Sequence, residues 1–197
     1  MKIHTLIMLS ILLLFAHSCI TVKTDKANVT DFELGEKWIW EWSRSSNDSI
    51  LFAGEDMKEV VNYDGTLGFW NGSDTFTIAS TLIEEESPTP FRDWPLYKGK
   101  TWRFVNEYEN YEGTTFKQDY RAEVVAYELF ESAAGSFMAY KIEYRGNLKN
   151  SRGYDAEVLD IWWYSPVLKT YVKHLYDDGQ SIYVNELVAY SKSNKKS

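Results

Sequence analysis

The segment LGEKWIWEW (34–42) decides the fold class of this chain. Its three tryptophans lie on one side of an extended backbone, while Lys37 and Glu41 lie on the other. Alternation with a period of two is typical of a β-strand that buries one of its faces. The segment therefore predicts a half-buried strand near the start of the folded region.

The same alternation continues along the chain. It is clearest in SFMAYKIEYR (136–145) and SIYVNELVAY (181–190). Turn dipeptides such as Asp64-Gly65 and Asp178-Gly179 separate many of the segments at the short intervals expected of hairpins. Further candidate strands lie at 49–53, 57–63, 66–70, 74–83, 100–109, 115–130, 155–165 and 169–176.

Repeated hairpins predict an all-β fold with little helix: a single antiparallel meander forming a strongly curved sheet or half-open barrel. Within 115–130, Ala122 and Val124 have one parity, whereas Val125 and Tyr127 have the other. A β-bulge would explain this change of phase, and a short helix is the alternative. We favour the bulge, because neighbouring valines disfavour a helix.

The N-terminal residues resemble an export signal. Lys2 precedes an apolar run of the length of a signal-peptide core, and Ala16 and Ser18 are the small residues before Cys19. The resemblance to a bacterial lipoprotein signal implies lipidation of Cys19. Ala16 stands where that signal most often has Leu, and ordinary cleavage without lipidation is the alternative. It predicts an envelope location, periplasmic or surface-facing, with the lipid as membrane anchor. The predicted divisions are a signal peptide (1–18), a lipidated tether (19–31), an all-β domain (32–190) and a polar tail (191–197).

Composition limits the possible functions. The 197 residues are 44% hydrophobic and 25% charged, as in a globular protein, and 16% are aromatic, which is high. The net charge of −8 disfavours a nucleic-acid partner. An excess of Trp and Tyr suits either a large-ringed core or a surface that holds a ligand.

Three segments resemble a loose group of exported bacterial β-domains, many of them lipoproteins without assigned function. PLYKGKTW (95–102) resembles the group's P-L-x-x-G-x-x-W strand start, and 136–145 resembles the strand that follows. WWYSPVLKTYVKH (162–174) resembles its closing hairpin. The group usually has Gly in the turn after the proline, where this chain has Val167, Leu168 and Lys169. The resemblance implies an all-β fold and no catalytic mechanism.

The sequence lacks the residues for several chemistries. Cleavage would leave His174 as the sole histidine and Cys19 acylated, so a zinc site of His and Cys is excluded. No nucleotide-binding motif is present, and we predict neither a cofactor nor a metal. The acidic groups Glu84–Glu86 and Asp177–Asp178 are read as a loop and a hairpin turn in preference to a Ca²⁺ site.

These observations predict an exported, lipid-anchored protein that acts as a non-enzymatic binding or assembly module. Its partner would be an apolar small molecule, a glycan or a protein, held on a concave aromatic face. One alternative is a glycosidase-like hydrolase using Glu157 and Asp160, although these acids have opposite parity. Another is a purely structural lipoprotein. The candidate ligand-binding residues are Trp38, Trp40, Trp42, Trp102, Trp162 and Trp163.

Overall fold

The computed structural model describes residues 21–82 and 87–192, and these residues form one ten-stranded sheet with antiparallel neighbours throughout. The strands are β1 (Lys37–Ser46), β2 (Ser49–Tyr63), β3 (Thr66–Trp70), β4 (Thr75–Thr77), β5 (Thr101–Glu109), β6 (Thr115–Ser132), β7 (Gly135–Asn150), β8 (Asp155–Ser165), β9 (Thr170–Asp177) and β10 (Ile182–Ser191). The described helical segments are a 3₁₀ turn (Val29–Asp31) and α1 (Ile78–Leu82). The predicted all-β fold is confirmed.

The strand order departs from a simple meander at the centre of the sheet. It runs β4-β3-β2-β1-β10-β9-β8-β7-β6-β5, so the first and last strands pair in the interior of the sheet. Trp40 of β1 lies opposite Leu187 of β10 in this central pair. β4 and β5 are the two edges, and the sheet does not close into a barrel. The crossover segment between them, residues 78–100, therefore links one edge of the sheet to the other.

One face of the sheet, which we call the inner face, carries most of the core. In β7 the side chains of Tyr140, Ile142 and Tyr144 are fully buried on this face. The alternate residues Lys141 and Glu143 point to the outer face, where their charged groups approach to 3.0 Å. From Tyr140 to Arg145 the alternation separates buried rings from charged side chains as predicted, whereas Ala139, which has the parity of Lys141, is fully buried.

Residues 87–100 of the crossover segment cover the inner face of the second half of the sheet. The ring of Phe91 stacks on Tyr144 with centroids 4.9 Å apart. The indole Nε1 of Trp102 donates to the carbonyl oxygen of Phe91 at 3.3 Å. Leu96 is fully buried and exchanges two backbone hydrogen bonds with Thr24, so the segment before β1 lies beside the crossover. This arrangement buries inner-face rings beneath the crossover.

The predicted strand at 74–83 is wrong beyond Thr77, where the chain turns into α1. The hydroxyls of Ser80 and Thr81 donate to the carbonyl oxygens of Thr77 and Ile78, both at 2.8 Å. These local bonds satisfy acceptors that a continuing strand would have offered to a neighbour. The turn also buries Ile78 completely.

The predicted bulge in β6 is confirmed. Val124 pairs with Ile142 and Ala126 pairs with Lys141, which leaves Val125 as the extra residue. The bulge shifts the phase of the strand, so that Val124 and Tyr127 both join the inner-face core. The segments predicted separately at 49–53 and 57–63 form the single strand β2.

Candidate functional site

The six candidate tryptophans do not share one surface. Trp38 and Trp40 lie in the core, with 0% and 3% of their surface exposed. The indole of Trp40 donates to the carbonyl oxygen of Tyr171 at 3.2 Å, and its ring stacks on that tyrosine. Trp102 is half-buried and holds the crossover segment, as described above. These three rings therefore pack within the protein.

The two adjacent tryptophans of β8 point to opposite faces, as alternation in a strand requires. Trp163 lies on the outer face and donates from Nε1 to Glu128 at 3.1 Å. Trp162 lies on the inner face, where its ring stacks on His174 with centroids 3.8 Å apart. On β1, the ring centroid of Trp42 lies 6.1 Å from the ring centroid of Tyr183. Trp42 and Trp162 are thus the two candidates beside the inner-face cleft.

A cleft of about 510 Å³ opens on the inner face next to His174, and we call it the tyrosine cleft. Its walls combine five rings of Tyr and Phe with several hydrogen-bonding side chains. The rings of Tyr108 and Phe116 stack 5.2 Å apart at one end. The lining residues are Arg44, Tyr108, Phe116, Gln118, Leu148, Asn150, Tyr154, His174, Tyr176, Asp178 and Tyr183.

The polar groups of the tyrosine cleft are held in place by the β9–β10 turn. The hydroxyl of Tyr154 donates to Asp178 Oδ2 at 3.0 Å, while the other oxygen of Asp178 accepts from the backbone of Gln180 and Ser181. Partial burial opposes the charge of Asp178, but these hydrogen bonds outweigh it and lower the pKa of the carboxyl. The cleft therefore presents a fixed carboxylate.

Tyr176 and Tyr183 of the cleft remain neutral hydroxyls. Burial raises the pKa of both Tyr176 and Tyr183, and neighbouring groups such as Asp56 add to the effect at Tyr183. Arg44 lies over the ring of Tyr183, with its guanidinium carbon 6.0 Å from the centroid. Flat rings edged with neutral hydroxyls and one cation line the cleft.

Asp160 and His174 form a buried pair at the edge of this cleft. The Oδ1 atom of Asp160 lies 2.9 Å from Nε2 of His174, and Asp160 is 7% exposed. Among the described residues, no hydroxyl or thiol is hydrogen-bonded to the imidazole, so the pair lacks the nucleophile of a catalytic triad. Its structural effect is to fix the imidazole against Trp162.

The acid pair of the hydrolase alternative is not brought together. Glu157 is exposed and lies opposite Asn147 of the neighbouring strand β7. Asp160 points to the inner face and is buried. Within residues 21–82 and 87–192, no group of three or more His, Cys, Asp or Glu side chains is arranged to hold a metal ion. In that same part of the chain, no helix has the length and hydropathy of a membrane span. Cys19 and Glu84–Glu86 lie outside the described residues.

Sequence reasoning missed the tyrosines that form the cleft. Tyr108, Tyr176 and Tyr183 come from β5, β9 and β10, and their meeting depends on the strand order. The side of the strand on which a tyrosine lies could be predicted from the alternation of side chains. Tyr183, for example, shares its side of β10 with Asn185, which is 2% exposed. The pairing of β9 with β10 places Tyr176 opposite Tyr183. That register was the missing information.

Comparison with known proteins gives distant likenesses. No protein-family profile and no curated protein matches the chain. A crystal structure from Bacteroides fragilis, described as a candidate exported protein with a YmcC-like fold, aligns over 87% of this chain and 100% of its own. It has 13% identity and a TM-score of 0.38. A candidate lipoprotein from Parabacteroides distasonis aligns over 81% and 96%, with 10% identity and a TM-score of 0.43. Likenesses of this degree carry no argument about activity or location.

Proposed function

We propose that this protein is an exported, lipid-anchored protein of the bacterial cell envelope that binds a carbohydrate without cleaving it. The observation that carries the binding function is the tyrosine cleft on the inner face. Its volume of about 510 Å³ falls within the usual range of ligand sites. The export and anchoring steps rest on the signal-like residues before Cys19.

The chemistry of the cleft favours a sugar over a wholly apolar ligand. Tyr and Phe rings offer flat surfaces on which the apolar face of a sugar ring can lie. Arg44, Gln118 and Asp178 supply donors and acceptors at the rim of the same surface. An apolar ligand would displace water from these polar groups without offering them new hydrogen bonds, at a cost in free energy.

A glycan array probed with the purified chain tests the binding function. The best-retained glycan is then titrated against the protein by calorimetry. Tyr176→Ala and Tyr183→Ala should each weaken binding about tenfold, because each removes a stacking surface. Tyr111→Ala is the matched control, since Tyr111 is 98% exposed and does not line the cleft.

Three outcomes would overturn this proposal. Retention of no glycan by the array would favour a purely structural protein. Equal loss of binding in Tyr111→Ala would place the sugar elsewhere. If chromatography shows that the bound glycan becomes shorter during incubation, that result would favour a hydrolase.

Lipid anchoring has its own test in a bacterial host. Mass spectrometry of the wild-type chain should show a diacylglyceryl group on Cys19 and loss of residues 1–18. Cys19→Ala should move the protein from the membrane fraction to the soluble fraction. An intact, unmodified N-terminus in the wild-type protein would overturn this part of the proposal.

A further inference from the structure

A second cavity of about 360 Å³ lies on the inner face, between α1, the crossover segment and the β8–β9 turn. We call it the cationic pocket. Its lining residues are Phe32, Lys58, Phe69, Phe76, Thr81, Leu82, Phe91, Arg92, Trp162, Lys169, Thr170 and Tyr171. Trp162 connects it to the tyrosine cleft, because its ring stacks on His174 and also faces the Arg92 guanidinium at 5.5 Å.

The charges in this lining are unbalanced. Three cations line the pocket, and none of its described lining residues is acidic, in a chain whose net charge is −8. Lys169 is neutralised by Glu36, which lies 2.8 Å from its Nζ atom. Lys58 and Arg92 have no carboxylate partner among the described residues. Among the described residues, Glu36 is therefore the carboxylate that acts on these cations, and its single charge is fewer than the charges of Lys58, Arg92 and Lys169 together.

Lys58 and Arg92 are also poorly hydrogen-bonded. Lys58 Nζ donates to the hydroxyl of Thr170 at 3.3 Å and otherwise faces the rings of Trp38 and Phe69, each 4.7 Å away. The Nε atom of Arg92 is buried and has no hydrogen-bond partner within residues 21–82 and 87–192. Arg92 makes only ring contacts with described residues, including Phe91. A buried donor without an acceptor destabilises a protein, so the state of Arg92 Nε favours a site for a ligand that accepts hydrogen bonds.

We propose that the cationic pocket binds an organic anion, a carboxylate attached to an apolar body. The carboxylate would pair with the Arg92 guanidinium and the Lys58 ammonium, which present the planar fork and the point charge suited to it. The apolar body would lie against the rings of Phe69, Phe76 and Trp162. This site is distinct from the tyrosine cleft and does not depend on the proposed carbohydrate ligand.

The ionisation of Lys58 would make this binding depend on pH. Burial lowers the pKa of Lys58 to about 7, and the charges of Lys169 and Arg92 act in the same direction, while Glu36 opposes them. An anion beside the ammonium stabilises its charged form, so binding takes up a proton above that pH. Affinity should be greatest below the pKa and should fall as the pH rises through it.

Calorimetric titration of the purified chain with sodium octanoate, octanol and inorganic phosphate tests the proposal. We expect octanoate to bind. Octanol and phosphate should each bind at least about tenfold more weakly, because octanol lacks the carboxylate and phosphate lacks the apolar body. Arg92→Met and Lys58→Met should each lower octanoate affinity about tenfold. Arg44→Met is the matched control, since Arg44 lines the tyrosine cleft and should leave octanoate affinity unchanged.

A pH series distinguishes the loss of the Lys58 charge from misfolding of a variant. Wild-type affinity for octanoate should fall between about pH 6 and pH 9, whereas Lys58→Met should show a weaker and flatter dependence. Equal affinity for octanoate and octanol would show that the carboxylate is not recognised. Equal affinity for octanoate and phosphate would show that the apolar body is not recognised. Loss of octanoate binding in Arg44→Met would place the anion in the tyrosine cleft. Absence of octanoate binding would overturn the proposal as a whole.

Discussion

Lys169 has a backbone conformation that residues with a side chain rarely adopt, with φ at 58°. Its Nζ atom lies 2.9 and 2.8 Å from the two oxygens of Glu36 and donates to the carbonyl oxygen of Asp31 at 2.6 Å. Glu36 is fully buried, so this ion pair offsets the roughly 1 kcal/mol cost of the left-handed backbone.

Lys169→Met should destabilise the protein by about 3 kcal/mol, because it leaves the Glu36 carboxylate buried without its cation. The double variant Glu36→Gln with Lys169→Met should recover part of that loss. Urea denaturation measures both changes. Lys192→Met is the control, since its partner Glu33 is 3.9 Å away on the surface, and it should change stability by less than about 0.5 kcal/mol. Equal effects of Lys169→Met and Lys192→Met would contradict the role of the buried pair.

Lys58→Met should stabilise the ligand-free protein, and the gain should be largest at low pH. The folded-state pKa of Lys58 is lowered to about 7, so the unfolded chain binds more protons between that pH and the ordinary lysine value. Wild-type stability should therefore rise with pH through this window, by about 2 kcal/mol between pH 6 and 9. Thermal melts at several pH values should show the variant's advantage shrinking as the pH rises. An advantage independent of pH would show that burial of this charge is not the cause.

At the scale of the element, the close contact of β6 and β7 depends on Gly146. It pairs with Tyr120, and a Cβ atom added at Gly146 would lie 2.9 Å from the Cα of that tyrosine. Gly146→Ala should therefore destabilise the protein by about 1–3 kcal/mol, since a backbone atom cannot move aside as a flexible side chain can. Asn147→Ala, at an exposed position of the same strand, is the control. Equal melting temperatures for the two variants would contradict the contact.

Local patterns predicted the elements more completely than the site. Alternation of side chains identified β1, β7 and β10, and the change of phase near Val125 identified the bulge. The register between paired strands could not be predicted from the sequence, so the meeting of Asp160 with His174 was missed. Lys58 was also missed, although it shares its side of β2 with Val60, which is 1% exposed. A cation at a position with core parity is a signal that a sequence can supply.

At the scale of the whole molecule, the sheet depends on its last strand. β10 pairs with β1 on one side and with β9 on the other. Removal of residues 182–197 should therefore expose two central strand edges and cause aggregation, because unpaired edges bind other chains. Size-exclusion chromatography would detect the aggregate. Removal of 193–197 alone is the control and should leave the chain monodisperse; aggregation of both truncations would contradict the role of β10.

The position of β10 also determines when the sheet can be completed. The ribosome makes β10 after the other nine strands, yet it lies between the four-strand arm β1–β4 and the five-strand arm β5–β9. Pairing of β1 with β10 joins segments from opposite ends of the chain, and contacts so distant in sequence form slowly. A polypeptide that must thread through a narrow translocation channel benefits from such a delay. For a secreted chain, this architecture would postpone completion of the sheet until β10 had crossed the membrane.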